Sequence, residues 1–264
     1  RPPRSTLSSS SAASDVYKRQ TISTCRVRLS TLSWRLMSSP LTMEYWPSMP
    51  YKNKIAARAA LEMRSGQVIN LGIGIPNLIL DYLPAGLEVF VQSENGILGI
   101  GPRSAAGSED RNLIDAGANY VTLNPGASFF DSALSFALIR GGRVNLSFLG
   151  TLEVSQNGDL ANWIVPGKMT PGIGGGMELA QKAQRVIVTT SHSTREGAPK
   201  ILTQCTLPLT ARGCVKTIIT ELAVIDVTPQ GLMLREIALE STLREVQERT
   251  DAPLLFPPGE IPRF

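Results

Sequence analysis

The sequence VFVQSENGILG at residues 89–99 combines a short apolar run with an abrupt turn. The run Val-Phe-Val favours a buried β-strand. Asn95-Gly96 is a turn dipeptide, because both residue types tolerate positive φ. Glu94 is therefore predicted to lie at the carboxyl end of a strand, which is where open α/β sheets bind their ligands. The alternative interpretation is an ordinary solvated glutamate in a loop.

Strand and helix signals alternate on both sides of this stretch. An amphipathic helix is predicted around residues 55–63, and Asn124-Pro125-Gly126 is predicted to be a turn. Strands are predicted at residues 67–71, 144–149, 185–190 and 218–227. The alternation indicates an α/β sandwich with a mainly parallel sheet. Residues 46–264 are expected to form one domain.

Two glycine-rich segments each precede a predicted helix. Gly72-Ile73-Gly74 joins a strand to a helix that is predicted to continue through Tyr82, and PGKMTPGIGGG at residues 166–176 precedes a helix from Met177. Glycines let the backbone approach a ligand closely, and a helix N-terminus favours an anionic group. The phosphate-binding lysine pattern of a P-loop is absent. Together with Glu94, these segments indicate a site for a nucleotide-like ligand and a carboxylate reagent.

The positive charge of this chain is concentrated in its first fifth. The formal charge is +4, and residues 1–50 carry seven basic and two acidic side chains, leaving 19 basic and 20 acidic ones in the rest. The basic excess therefore does not indicate a nucleic-acid surface on the body of the protein, and no nucleic-acid partner is expected.

Residues 1–45 are rich in Ser and Arg and lack sustained periodicity. One interpretation is a mitochondrial transit peptide, which has this composition. The other, which we favour, is translated non-coding sequence ahead of a start at Met43 or Met49. Under either interpretation, we expect residues 1–45 to form a poorly ordered tail outside the folded domain.

Several chemistries are excluded by composition. Cys25, Cys205 and Cys214 have no metal-ligand spacing and form no even disulfide framework, which favours a reduced intracellular compartment. His192 is the only histidine, so a histidine-rich metal site is impossible and no metal is expected. No apolar run reaches membrane-spanning length, and no membrane association is predicted.

A strand-end carboxylate has three possible roles: general base, metal ligand or nucleophile. A glutamate of ordinary pKa, about 4.3, is ionised at neutral pH and needs no activating histidine. A metal role would require partner ligands, and none cluster near Glu94 in sequence. A glycosidase would require a second acid, for which Asp115 or Asp131 is available but unmarked.

The body of the chain resembles the beta subunit of the 3-oxoacid CoA-transferases, the succinyl-CoA:acetoacetate type of family I. The resemblance covers nearly all of residues 52–255. It is carried by the segments NLGIGIP (70–76), QSENGILGIGP (92–102), FALIRGG (136–142), GDLANWIVPGKM (158–169), GIGGGMEL (172–179) and KILTQCTLPLT (200–210).

This resemblance implies ping-pong transfer of coenzyme A (CoA) through a glutamyl-CoA thioester, with Glu94 as the nucleophile. The backbone N–H groups of Gly174, Gly175 and Gly176, above all Gly175, are then the oxyanion donors. The residues implied to line the acyl and CoA site are Asn70, Gly72, Gly74, Asn95 and Gly96. The family commonly has Ala and Asp at the positions of Gly176 and Glu178, and often Glu at that of Ser191, so no catalytic role is transferred to His192.

The resemblance further implies a three-layer α/β/α fold of the kind shared with ribose-5-phosphate isomerases. It implies an alpha-subunit partner, in an α2β2 assembly, and no permanently bound cofactor, since the CoA thioester is a substrate. Small acids such as acetoacetate, with succinyl-CoA or acetyl-CoA, are the implied reactants. The expected location is cytoplasmic, or the mitochondrial matrix if the N-terminal segment is a transit peptide. The alternatives are a sugar-phosphate isomerase-like enzyme and a non-catalytic ligand-binding protein of the same fold.

Overall fold

The computed structural model describes residues 49–167 and 172–264, which belong to one compact unit. The predicted tail at residues 1–45 lies outside the described residues. The helices are α1 (Tyr51–Ala60), a 3₁₀ helix (Ile75–Tyr82), α2 (Ser132–Arg140), α3 (Gly176–Lys182) and α4 (Leu243–Glu248).

Thirteen strands are defined within the described residues. They are β1 (Val68–Leu71), β2 (Phe90–Ser93), β3 (Ile97–Arg103), β4 (Val121–Phe129), β5 (Leu146–Leu149), β6 (Glu153–Ser155), β7 (Leu160–Ala161), β8 (Arg185–Thr189), β9 (Ile201–Leu202), β10 (Val215–Ile219), β11 (Ala223–Thr228), β12 (Gly231–Ile237) and β13 (Leu254–Leu255). Ten form one sheet in the order β13-β12-β11-β10-β8-β5-β1-β2-β3-β4, and three form a small sheet, β7-β6-β9.

The centre of the large sheet is parallel, as predicted. β10, β8, β5, β1 and β2 run in the same direction, so their carboxyl ends share one edge. The pairs β2–β3, β3–β4, β10–β11 and β11–β12 are antiparallel. A mainly parallel core with antiparallel flanks therefore presents the end of β2 at the edge where ligands bind in open α/β sheets.

Both faces of the sheet are covered, which gives three layers. Ile69 of β1 packs in a core with Ile55 of α1. The preceding residue, Val68, contacts the cluster formed by Ile139 of α2 and Leu179 of α3. Because successive side chains of a strand point to opposite faces, this alternation places α1 on one side and α2 with α3 on the other. The expected α/β/α sandwich is confirmed.

Two local predictions were wrong. Residues 218–227 form parts of two antiparallel strands, β10 and β11, rather than one. The apolar run contains no Gly or Pro; instead the Thr220 hydroxyl accepts backbone N–H groups of Leu222 (3.2 Å) and Ala223 (3.1 Å) and closes the turn.

The predicted turn at Asn124-Pro125-Gly126 lies inside β4. β4 is the last strand of the sheet, where a proline does not interrupt a ladder of hydrogen bonds. Its pairing with β3 is irregular, with register shifts on both sides of Ile100. The predicted helix through Tyr82 is a 3₁₀ helix.

The turn between β2 and β3 requires glycine at position 96. Gly96 has φ +111°, and an added Cβ would lie 2.0 Å from the carbonyl oxygen of Phe130. Backbone bonds hold this approach, since Gly96 N–H donates to Ser93 (3.0 Å) and its carbonyl accepts from Phe130 N–H (3.0 Å). The turn therefore cannot keep this geometry with any other residue at position 96.

We expect Gly96→Ala to lower the free energy of unfolding by more than about 4 kcal/mol, because backbone must move to admit the methyl group. Gly86→Ala is the matched control: Gly86 has φ +80° but nothing within 4 Å of an added Cβ. It should cost only the left-handed backbone penalty, about 1–2 kcal/mol. Urea unfolding of both variants measures the difference, and equal losses would contradict the steric explanation.

Candidate active site

Glu94 directly follows β2, at the carboxyl edge of the parallel strands, as the sequence predicts. Its side chain is half-buried, and the neighbouring Asn95 is exposed. The turn that follows is closed by the Gly96 N–H bond to Ser93. The backbone at Glu94 is therefore fixed at this edge of the sheet, and the residue remains partly exposed.

Asn70 contacts Glu94 from the adjacent strand. Its Nδ2 donates to Oε2 of Glu94 at 3.2 Å, and also to the side-chain and backbone oxygens of Gln92 at 2.8 and 3.1 Å. Asn70 is only 1% exposed. Its position follows from the parallel pairing of β1 with β2, in which Asn70 is the partner of Gln92. A residue predicted for acyl or CoA binding thus contacts the predicted nucleophile.

The second glycine-rich segment approaches Glu94 at Gly175. A Cβ added there would lie 3.4 Å from Cγ of Glu94 and 3.2 Å from the ring of Phe136. Gly175 has an ordinary backbone conformation, φ −77°, so space rather than backbone geometry favours glycine. Gly174 (φ +51°) and Gly176 have nothing within 4 Å of an added Cβ. Residues 168–171 of this segment lie outside the described residues.

Gly72, Gly74 and Asn95 were also predicted to line the acyl and CoA site. Gly72 packs against β5, where an added Cβ would lie 3.1 Å from the Phe148 carbonyl oxygen. Gly74 has φ +95° and precedes the 3₁₀ helix. The Asn95 side chain is used structurally, since its Nδ2 donates to the Ile114 carbonyl at 2.8 Å.

The sequence analysis did not identify a segment that fastens the turn bearing Glu94. Besides the Asn95–Ile114 bond, the N–H of Ala116 donates to Oγ of Ser93 at 2.9 Å. Residues on either side of Glu94 are thus bonded to the same segment. No signal in the sequence identifies this contact, because an alanine and a backbone carbonyl supply it.

His192 is a buried structural residue. It is 0% exposed, and its Nδ1 and Nε2 each lie 2.9 Å from a threonine hydroxyl, those of Thr220 and Thr250. Burial, assisted by the charge of Arg249, lowers the pKa of His192 to about 4. The imidazole is therefore neutral at physiological pH and fully occupied by hydrogen bonds.

Two ionisable groups lie beside His192. Glu221 accepts the His192 backbone N–H at 3.0 Å, and burial raises the pKa of its carboxyl group. Lys200 donates to the Thr190 hydroxyl at 3.0 Å, and burial lowers the pKa of its ammonium group, although the charge of Glu221 opposes this.

The described cysteines are poor nucleophiles. Burial raises the pKa of Cys205 to about 12 and that of Cys214 to about 11, so both are protonated at neutral pH. Within residues 49–167 and 172–264, no group of three or more His, Cys, Asp or Glu side chains is arranged to hold a metal ion. In the same part of the chain, no helix has the length and apolar character needed to cross a membrane.

The site combines a half-buried carboxylate with a buried amide donor and a glycine at van der Waals distance. A carboxylate in such a position is able to act as a nucleophile or as a general base. Residues 52–246 match the family model described as coenzyme A transferase. The chain belongs to the coenzyme A transferase family.

Curated relatives agree with this assignment. The chain is 50% identical over 201 residues to the beta subunit of a probable coenzyme A transferase of Bacillus subtilis (strain 168), covering 76% of this chain and 93% of that one. It is 46% identical to one subunit of the succinyl-CoA:3-ketoacid coenzyme A transferase of Helicobacter pylori (strain ATCC 700392 / 26695). That alignment covers 76% of this chain and 97% of the relative.

The fold also matches a solved structure. The acyl-CoA transferase YdiF of Escherichia coli O157:H7, crystallised as a thioester complex with CoA, aligns with a TM-score of 0.66 at 21% identity. The alignment covers 82% of this chain and 43% of that one. At this identity the comparison supports the fold alone.

The histidine geometry predicts a pH-dependent stability. The pKa of His192 is near 4 when folded and about 6.5 when unfolded. The folded state therefore loses stability as pH falls from 6.5 towards 4, because the unfolded chain binds the proton first. Wild type should lose about 2 kcal/mol more between pH 7 and pH 5 than His192→Gln, in urea unfolding. Parallel pH profiles of the two proteins would refute this account.

Proposed function

We propose that this chain transfers CoA between an acyl-CoA and a carboxylic acid, with Glu94 as the covalent nucleophile. The observation that carries the proposal is the Glu94 carboxylate, ordered by Asn70 at 3.2 Å and flanked by Gly175 at the carboxyl edge of the sheet. An isomerase or a non-catalytic protein of the same fold needs no nucleophilic carboxylate there. Membership of the coenzyme A transferase family favours the transfer reaction over both.

The reaction proceeds through two kinds of bond exchange. A Glu94 oxygen attacks the thioester carbonyl carbon, the C–S bond breaks, and CoA leaves as a thiolate with the bonding electrons. The product is a mixed anhydride. The thiolate then attacks the glutamyl carbonyl carbon, the anhydride C–O bond breaks, and the first acid leaves as a carboxylate. Glu94 is now a glutamyl-CoA thioester, and the second acid repeats the sequence in reverse.

Each acyl exchange passes through a tetrahedral intermediate with a negatively charged oxygen. Backbone N–H groups that point to this oxygen stabilise it strongly in a water-excluded site. We assign this role chiefly to the Gly175 N–H, because Gly175 lies against Glu94. The Gly176 N–H, predicted from the resemblance as a further donor, is already bonded to the Ile173 carbonyl at 3.1 Å. The absence of a Cβ at Gly175 also lets the substrate carbonyl approach the backbone.

The names of the relatives support a proposal for the class of substrate. The Helicobacter pylori relative is named for succinyl-CoA and a 3-ketoacid. We propose the same class here, with acetoacetate as the 3-oxoacid and succinyl-CoA or acetyl-CoA as the donor. CoA is a substrate that visits Glu94 covalently, and the proposal needs no permanently bound cofactor.

The Bacillus subtilis and Helicobacter pylori relatives are each named as a single subunit of an enzyme, the Bacillus protein as a beta subunit. We propose that this chain likewise pairs with an alpha subunit, as α2β2. We place the enzyme in the cytoplasm, or in the mitochondrial matrix if residues 1–45 serve as a transit peptide.

Covalent catalysis predicts a trapped adduct. Wild type incubated with acyl-CoA and no acceptor acid should carry CoA on the peptide containing Glu94, detected by mass spectrometry. Glu94→Ala should form no adduct and lose activity. Glu94→Asp keeps the carboxylate but retracts it by one methylene, and should lose on the order of 100-fold in rate.

Glu88→Ala provides the matched control, because Glu88 is an exposed glutamate just before the amino end of β2. It should retain both adduct and activity. Substantial transfer by Glu94→Ala, assayed with the alpha subunit present, would end the covalent proposal.

Subunit pairing predicts a second result. The purified chain alone should show little transferase activity, because the family pattern found here supplies only the glutamate-bearing half. Adding the alpha subunit should restore activity and produce a larger species in analytical ultracentrifugation. Full activity of the isolated chain, with no gain on addition of the alpha subunit, would contradict the pairing.

A further inference from the structure

A layer of buried polar side chains lies beneath Glu94. Gln92, Asn70 and Ser135 are 2%, 1% and 0% exposed. They come from β2, β1 and α2, so the layer joins two parallel strands to the helix that covers them. Buried amides and hydroxyls cost free energy unless they are paired, which makes their hydrogen bonds selective about orientation.

The hydrogen bonds form one continuous chain that ends at the carboxylate. Gln92 Nε2 donates to Ser135 Oγ at 2.9 Å. Gln92 Oε1 accepts from Asn70 Nδ2 at 2.8 Å, and the same Nδ2 reaches Glu94 Oε2 at 3.2 Å. The Ser135 hydroxyl is 3.5 Å from the Ser93 carbonyl oxygen, its acceptor.

Each amide in this chain has one workable orientation. Asn70 faces three acceptors, the Gln92 carbonyl, Gln92 Oε1 and Glu94 Oε2, so its NH₂ group must point towards them. Gln92 faces a donor at Oε1 and a hydroxyl at Nε2, so its amide is fixed in the same way. Reversing either amide would oppose like groups in a buried space.

Asn70 has two N–H hydrogens for these three acceptors. The bond to Glu94 is the longest of the three, so it depends on the other two to hold the amide in place. Without Gln92 Oε1, the Asn70 amide would lose the shortest of its three hydrogen bonds and could tilt away from the position in which its Nδ2 meets Glu94 Oε2. The orientation of the Glu94 carboxylate therefore depends on Gln92 and Ser135 as well as on Asn70.

We propose that Gln92 and Ser135 are positioning residues for the transfer reaction: they lock the Asn70 amide so that it orients the Glu94 carboxylate for attack. The inference rests on the proposed nucleophilic role of Glu94. A carboxylate that must meet a thioester carbonyl in line loses rate steeply when it is misplaced. Gln92 and Ser135 are almost completely buried, so we expect them to act on the rate of attack rather than on substrate binding.

Ser135→Ala and Gln92→Met test this in the full chain, assayed with the alpha subunit. Both remove a hydrogen-bonding group at nearly constant volume. We expect kcat and the single-turnover rate of CoA-adduct formation on Glu94 to fall about tenfold, while KM for acyl-CoA changes less than about twofold. Ser135→Thr keeps the hydroxyl and should recover most of the rate.

Ser147→Ala is the matched control. Ser147 is a buried serine of β5 whose hydroxyl has no hydrogen-bond partner among the described residues. It is the strand partner of Asn70, so the control makes the same chemical change in the neighbouring strand. Its adduct-formation rate should stay within about twofold of wild type, since no bond to the chain is lost.

Adduct formation by Ser135→Ala and Gln92→Met at the rate of Ser147→Ala would overturn the positioning role. So would a Ser135→Thr variant as slow as Ser135→Ala, because the hydroxyl would then be irrelevant. If Gln92→Met does not fold, the two Ser135 variants decide the question. Absence of any adduct in wild type is a distinct result, which would refute the proposed function and the inference with it.

Discussion

The glycine turn at position 96 is the constraint on which the site depends. The chain arrives at it as the last parallel strand and leaves as an antiparallel one. The reversal requires φ +111° and leaves no space for a side chain beside the Phe130 carbonyl. Because the turn cannot shift, Glu94 is held at the edge of the sheet. The two strands that follow, β3 and β4, are added to that side of the sheet in antiparallel pairing.

Charges at the two ends of the sheet are used differently. Near the amino end of β8, Glu62 accepts hydrogen bonds from Arg58 (3.0 Å), Arg185 (2.8 Å) and Arg235. Burial alone would raise the pKa of Glu62, but the three guanidinium groups hold it below its usual value. The Glu62 carboxylate therefore has a structural role. At the carboxyl end, Glu94 receives a single neutral amide donor among the described hydrogen bonds, which orders it without neutralising its charge.

The polar layer under Glu94 explains how a carboxylate on a turn can be ordered. A glutamate has three rotatable side-chain bonds, and ordering them costs free energy that a surface contact seldom recovers. Here the partner is already immobile, because Asn70 is buried and bonded to Gln92, which is bonded to α2. Residues that pack in the core thus supply the free energy needed to order the Glu94 side chain. A carboxylate on a turn is thereby positioned as accurately as a residue within the sheet.

Local signals in the sequence predicted the α/β class, the parallel core and the position of Glu94 after a strand. These signals are short apolar runs and a turn dipeptide, whereas the burial of His192 between two threonine hydroxyls is visible only in the structure. The local signals did not reveal the β10–β11 turn within residues 218–227, because a threonine hydroxyl closes it in place of Gly or Pro. They predicted a turn at Asn124-Pro125-Gly126, which lies inside β4, because an edge strand tolerates proline. Only the tertiary structure joined Asn70 to Glu94, 24 positions away, and Gln92 to Ser135, 43 positions away. Such contacts depend on strand order and helix placement, which local periodicity does not encode.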